Sequence, residues 1–311
     1  MAFQKIAVLG CGLMGGSFAL GLKKRGYAGE IIGWDKEEVL QKAQERGAID
    51  SGAAESATAV EGADLIYLAA PVVVILDLLP QVGRHAKAGA LVTDAGSTKV
   101  RVCRMAKQVL PETLTFLGGH PMAGKEVSGI ENADADLFVG SKYVVVREEA
   151  EEAKEAKEKA DPSSRPEGSG SGLGMREAAK EFLDWVRRLG AEPVELDAET
   201  HDWAVALVSQ APQLLSTALA STVWDETDED GLPLSLAGSG FRDMTRLAAS
   251  PYDLWRDICL TNSENLERAL ERLEARLGRL RTRLRSKELG EEFEKAREMY
   301  AMLHQRRESD E

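Results

Sequence analysis

The sequence predicts an α/β domain built on a mainly parallel sheet, followed by an all-α domain. Three observations carry this. Short apolar runs alternate with helix-period segments from Lys5 to Val146. A glycine-rich turn joins the first run to the first helix. After Leu196 the strand-like runs stop and only helical periodicity remains.

Taken in order, Lys5–Leu9 reads as a buried strand, Leu13–Lys24 as a helix, Glu30–Trp34 as a strand and 36–46 as a helix. Strands at 64–69 and 90–93 alternate with helices at 73–85 and 99–110. Further strands are expected at 114–117, Lys142–Val146 and 193–196, with a helix at 176–189. Runs that are apolar throughout, such as Leu65-Ile66-Tyr67-Leu68, suit strands covered on both faces. Residues 148–172 break the alternation. A charged run gives way to Pro, Ser and Gly, which cannot bury enough apolar surface to offset its ordering entropy, so the segment reads as an exposed insertion, part helical and part mobile. Helices are expected at 202–223, 241–249, 252–260 and 264–285. This places a boundary between domains 1–198 and 199–311. Leu266, Leu270, Leu273, Leu277, Leu280 and Leu284 repeat at heptad spacing, which fits either a stripe packed within the chain or a dimer seam.

The chain has 311 residues and a formal net charge of −13, which argues against a general nucleic-acid binder. Much of the acid excess sits in two surface-like stretches, 147–167 and 225–230, so it says little about any pocket. The acidic stretch Asp225 to Gly231 mimics a calcium loop, but Ala237 stands where the closing glutamate would be. The longest apolar run, 65–76, is interrupted by Pro71 and too short to span a bilayer. No charged segment and cleavage site precede the first strand, so no secretory signal is expected. Cys11, Cys103 and Cys259 are too far apart for a disulfide framework or a metal site. A reducing cytoplasm, no metal, no membrane and no nucleic acid are the expectations.

Gly10-Cys11-Gly12-Leu13-Met14-Gly15 is G-x-G-x-x-G between a predicted strand and a predicted helix, the context a dinucleotide fingerprint needs. Gly10 permits the tight turn. Gly12 lets backbone approach a pyrophosphate at the helix N-terminus, where Leu13 and Met14 open the helix. Gly15 lets helix and strand pack closely. Asp35 follows Gly15 by 20 residues, at the end of the second strand. A carboxylate there accepts from ribose hydroxyls and repels a 2′-phosphate, which favours NAD over NADP, although Lys36 partly offsets it. Cys11 sits beside a helix N-terminus, where a thiol pKa can fall, but no base-bearing motif accompanies it and it reads as filler.

Three further segments narrow the choice: Asp94-Ala95-Gly96-Ser97-Thr98-Lys99, Gly118-Gly119-His120-Pro121-Met122-Ala123-Gly124, and Phe241-Arg242-Asp243-Met244-Thr245-Arg246 ahead of Trp255-Arg256-Asp257. With the glycine loop, these four in this order resemble the prephenate/arogenate dehydrogenase family of tyrosine biosynthesis. The resemblance covers nearly the whole chain outside the insertion. It implies a Rossmann-type N-terminal domain, a helical C-terminal domain that forms a homodimer, and an active site between them. It also implies oxidative decarboxylation of a cyclohexadienol, with hydride passing to the nicotinamide. Prephenate would give 4-hydroxyphenylpyruvate, and the alternative substrate arogenate would give tyrosine.

The resemblance implies His120 as the catalytic histidine that hydrogen-bonds the ring hydroxyl, a task that suits imidazole. It implies Ser97 beside the hydroxyl and the nicotinamide. Without it, Ser97 reads as a helix cap. Arg246 matches a carboxylate-binding arginine, whose planar fork suits a carboxylate better than lysine. Arg242 lies one turn earlier. His201 matches a histidine near the substrate side chain. Lys125 and Glu126 fall at the pocket mouth, and Trp255 is a candidate to close the pocket. Many members read Ser-His-x-Pro-His where this chain reads Ser209-Gln210-Ala211-Pro212-Gln213, so no pH-dependent role is expected at those two glutamines. A β-hydroxyacid dehydrogenase is the rival of similar architecture, but helix 202–223 lacks the lysine those enzymes use. A non-catalytic NAD sensor would need neither His120 nor Arg246.

Overall fold

In a computed structural model of the chain, the described residues are 3–125, 127–146, 177–227 and 231–308. The expected insertion at 148–172, Glu126 and the centre of the acidic loop lie outside them. The chain divides into two compact units, Met1–Ser263 and Glu264–Glu311.

The first unit is built on an eight-stranded sheet. Its strands are β1 (Lys5–Leu9), β2 (Glu30–Trp34), β3 (Ser51–Gly52), β4 (Leu65–Leu68), β5 (Leu91–Asp94), β6 (Thr115–Pro121), β7 (Lys142–Val146) and β8 (Glu192–Leu196), in the order β3-β2-β1-β4-β5-β6-β7-β8. All pairs are parallel except β6 with β7, where His120 lies opposite Val144. The reversal follows from the connection. Between β6 and β7 the described residues form only a short 3-10 turn, Ile130–Asn132, and a parallel return needs a full crossover.

Alternation along the strands divides the core in two. Ile6, Val8, Leu65 and Tyr67 face one layer with Phe18 and Leu22 of α1 (Leu13–Lys24) and Phe182 and Val186 of α6 (Glu177–Arg188). There the Phe18 and Tyr67 rings stack with centroids 3.9 Å apart. Ala7, Leu9, Ile66 and Leu68 face the opposite layer, formed by α3 (Ser56–Val60), α4 (Val72–His85) and α5 (Val100–Val109). The remaining helix of this half, α2 (Glu37–Glu45), follows β2.

Beyond β8 the unit is helical: α7 (Ala198–Val205), a π-turn over Ala206–Gln210, α8 (Ala211–Asp225), α9 (Leu232–Ser235), α10 (Ser239–Thr245), a 3-10 turn over Arg246–Ala249, and α11 (Tyr252–Thr261). The periodicity predicts one helix over 202–223, but the structure interrupts it. Pro212 has no N–H for the carbonyl of Val208 and its ring crowds that carbonyl, so the helix widens into the π-turn just before it.

The second unit contains α12 (Ser263–Arg283) and α13 (Gly290–Glu308), joined by Arg276 donating to Glu292 at 2.5–2.6 Å. Of the heptad leucines, Leu266 is buried, whereas Leu277 and Leu284 are 53% and 69% exposed. Among the described residues no helix is long and apolar enough to cross a membrane, and no cluster of side chains could hold a metal ion.

Candidate active site

The chain order reverses direction across the sheet between β1 and β4, and the crevice at such a switch point is where α/β sheets bind ligands. The glycine loop leaves β1 there. Gly10 has φ +98°, and a Cβ on it would lie 2.5 Å from the Ala69 carbonyl oxygen after β4. A Cβ on Gly15 would meet the Gly10 carbonyl at 1.9 Å and Val8 Cγ1 at 2.9 Å. Gly12 faces open space and no side chain caps the start of α1. A tight turn, an open backbone approach and a close helix–strand contact therefore occupy the three glycine positions. Leu13 and Met14 begin α1. Asp35, after β2, reaches back to the loop. Its Oδ2 accepts from Cys11 N at 2.8 Å and its Oδ1 from Lys36 N at 2.7 Å. The residues fit a dinucleotide. Cys11 itself is buried, and desolvation, then Asp35, pushes its thiol up to about 12, opposite to the lowering its helix-terminal position allows.

At the carboxyl end of β6 stands His120. Its Nδ1 lies 2.8 Å from Nε2 of His201 on α7, so two histidines 81 positions apart meet. His201 is fully buried, and its Nδ1 lies 2.8 Å from Oδ1 of Asp202. The Asp202 carboxylate in turn accepts from Lys99 N at 2.7 Å and Val100 N at 2.9 Å, capping α5 from a distant helix. Ser97 thus does not cap that helix; it lies half-buried in the loop between β5 and α5. Thr98 Oγ1 and Thr261 Oγ1, 2.9 Å apart, fasten the same loop to α11. Asn262 Nδ2 donates to the Asp202 carbonyl at 2.7 Å and to Gln210 Oε1 at 2.9 Å.

Beneath His120 is a buried ion pair. Lys99 Nζ contacts Asp94 Oδ2 and donates to the Gly119 carbonyl at 2.7 Å, while Gly119 N and Gly96 N donate to Asp94 at 3.1 and 2.9 Å. Both side chains have no exposed surface. This brace locks β6 immediately before His120. Burial, then His201 and Lys99, holds the His120 imidazolium well below the ordinary histidine range. At neutral pH the ring is therefore an unprotonated base.

The other candidates are placed less centrally. Arg242 on α10 and Arg246 at the start of the following 3-10 turn are exposed. Gln213 Nε2 donates to the Leu247 carbonyl at 2.8 Å and so ties that turn to α8. The two glutamines that stand where many relatives have histidines thus both have structural partners. Gln210 Nε2, Gln213 Oε1 and Ser216 Oγ are buried without a hydrogen-bond partner among the described residues. Lys125 turns to the Asn132 carbonyl and Asp134, each at 3.3 Å. Trp255 is half-buried on α11. Sequence reasoning missed Asp202, Lys99 and Asp94. Their signals were present, an acid directly after His201 and an acid–lysine pair bracketing Ser97, but only folding shows what they touch.

Comparison with known proteins identifies the family. Residues 18–161 match the model of the prephenate dehydrogenase nucleotide-binding domain, and 197–298 that of the prephenate dehydrogenase dimerization domain. Over 273 residues the chain is 37% identical to a prephenate dehydrogenase of Lactococcus lactis, covering 87% of this chain and 68% of that one. The chain belongs to the prephenate dehydrogenase family. A Bacillus subtilis prephenate dehydrogenase is 31% identical over 84% of this chain and 65% of its own length. The chain thus spans about two thirds of these two relatives. Among solved structures, the Aquifex aeolicus prephenate dehydrogenase, in complex with hydroxyphenyl propionate and NAD+, superposes with a TM-score of 0.82 at 28% identity, covering 98% and 99% of the two chains. A Synechocystis arogenate dehydrogenase does so at 0.74, again at 28% identity, covering 97% and 99%. Membership in this family makes the chain an NAD-dependent oxidoreductase with a nucleotide-binding domain and a dimerisation region.

Proposed function

We propose that the chain oxidatively decarboxylates prephenate to 4-hydroxyphenylpyruvate with NAD, and that His120 is the proton acceptor. The observation that carries this reading is His120 at the carboxyl end of β6, held unprotonated and in contact with His201. When bound at the glycine loop, the nicotinamide supplies the hydride acceptor. His120 takes the ring hydroxyl proton as the carbinol carbon is oxidised, and Ser97 holds the same hydroxyl. Loss of carbon dioxide then makes the ring aromatic. Arg246, supported by Arg242, receives a substrate carboxylate. His201 and Trp255 line the substrate side, and Lys125 with Glu126 flank the mouth.

Asp35 favours NAD over NADP, because its carboxylate already lies against the loop that a 2′-phosphate would approach. The division into domains at 198/199 follows the end of β8. Self-association through the helical region is supported by Phe293, Tyr300, Leu277 and Leu284, all more than half exposed in the single chain. Cys11, Cys103 and Cys259 are not joined in disulfides, which fits a reducing cytoplasm.

The likeness to an arogenate dehydrogenase supports arogenate as the second reading. NADH production with prephenate and arogenate offered side by side tests both. His120→Asn is expected to lower turnover about 10²–10⁴-fold, the range of a general base. Turnover preserved within a few-fold would remove His120 from this role.

A further inference from the structure

We infer that Asp202 is a positioning residue that fixes the tautomers of both histidines and so aims the acceptor nitrogen of His120 at substrate. This rests on the reading of His120 as proton acceptor. The two carboxylate oxygens of Asp202 each accept from a backbone N–H, those of Lys99 and Val100. These donors cannot move their protons, so they hold the carboxylate as an acceptor. His201 Nδ1, 2.8 Å from Oδ1, must then carry the hydrogen. That leaves His201 Nε2 as a lone-pair nitrogen. His120 Nδ1, 2.8 Å from it, becomes the donor of the next bond. His120 Nε2 is therefore left bare. Each link dictates the next, and the series begins at two amides of α5, not at the substrate.

The chemistry follows with its protons accounted for. The substrate O–H bond breaks, the proton goes to His120 Nε2, the oxygen's electron pair closes the carbonyl as the hydride departs, and carbon dioxide then leaves as the ring becomes aromatic; a bound NAD+ would be the hydride acceptor. The resulting imidazolium keeps its Nδ1–H bonded to His201 Nε2, which stays an acceptor because Asp202 holds the far side of that ring. The charged and titratable groups around the pair are Asp202 and Lys99, with Asp94 behind Lys99. With the opposite tautomers, His120 Nε2 would carry a hydrogen and could accept nothing.

Asp202→Asn tests this. An amide has one acceptor oxygen for three donors. With the amide oxygen on Val100 N, the NH2 that replaces Oδ1 faces His201 Nδ1, and the imidazole meets it by shifting its proton to Nε2. Nitrogen-15 spectra of histidine-labelled protein report which ring nitrogen is protonated, and the chain has only four histidines to assign. In the wild type both His120 and His201 should show the Nδ1–H form. In the variant the Nε2–H form should appear at His120, with kcat lowered about 10²–10⁴-fold and NAD affinity held within three-fold. A wild-type spectrum with Nε2–H at His120 overturns the inference, and so does a folded variant whose His120 keeps the wild-type tautomer. If Asp202→Asn does not fold, the wild-type spectrum alone decides. That spectrum needs no turnover. A wild type with the expected tautomers but no NADH from prephenate or arogenate would refute the functional reading and leave the tautomer assignment standing.

Discussion

Replacing Lys99 by Met would remove the cation from the brace under His120 at nearly constant shape. Asp94 would keep its two backbone donors, Gly96 N and Gly119 N, but its charge would be left uncompensated with no exposed surface. Breaking a buried pair from one side costs about 3–5 kcal/mol. For a unit of this size each kcal/mol lowers Tm by about 2–4 °C, so a fall of about 6–20 °C is expected. Asp94→Asn should cost a similar amount. The double variant Asp94→Asn/Lys99→Met should recover to within about 2 kcal/mol of the wild type, because a neutral pair leaves no stranded charge. Urea denaturation of the four proteins gives the coupling energy. The same change should raise the His120 pKa, since Lys99 is one of the groups that lower it, and shift the acid limb of the pH–rate profile upward. A loss below about 1 kcal/mol for Lys99→Met, or simple additivity in the double variant, would refute this account of the brace.

Three further outcomes can be checked in the same way. Gly15→Ala would place a methyl group 1.9 Å from the Gly10 carbonyl and should destabilise the fold by about 1–3 kcal/mol while weakening NAD binding. At Gly12 a methyl group meets nothing within 4 Å, so Gly12→Ala should weaken NAD binding at a stability cost under about 1 kcal/mol; NAD titration and denaturation curves separate the two. His120 also predicts an acid-side loss of stability. Its folded pKa lies well below the ordinary histidine value of about 6.5, so the unfolded chain takes up a proton first as pH falls. Its contribution is constant above about 6.5 and is lost below it, at up to about 1.4 kcal/mol per pH unit, until the folded pKa is reached. His120→Gln should remove that increment from the pH dependence of ΔG; an unchanged slope would contradict the shift.

Strands β1 and β7 match their expected limits because each is a short apolar run covered on both faces, a pattern that needs no tertiary information, and β2 matches too although only Ile31 and Gly33 of it are buried. β3 was not legible: Ser51 and Gly52 carry no apolar run, and the strand exists only as an edge partner of β2. The sense of β7 was equally hidden, since it depends on the connection and not on the strand. At the site, His120 and His201 could be read from their motifs, but their meeting depends on a helix that arrives after the sheet is complete. What Asp202 touches was hidden for the same reason, as its partners Lys99 and Val100 lie 103 and 102 positions away. The expectation of an unbroken helix over 202–223 failed on one residue, Pro212, whose effect on the carbonyl before it outweighs the periodicity around it.

The cap on α5 also limits how the chain can be taken apart. A fragment ending at β8 would keep the sheet, the glycine loop and His120, yet it would lack the carboxylate that closes α5 and the ring that meets His120. Such a fragment could retain nucleotide affinity while its base had no defined orientation. Grafting this sheet onto another helical partner would therefore have to carry His201 and Asp202 with it, as a two-residue adaptor between recognition of the cofactor and readiness for chemistry.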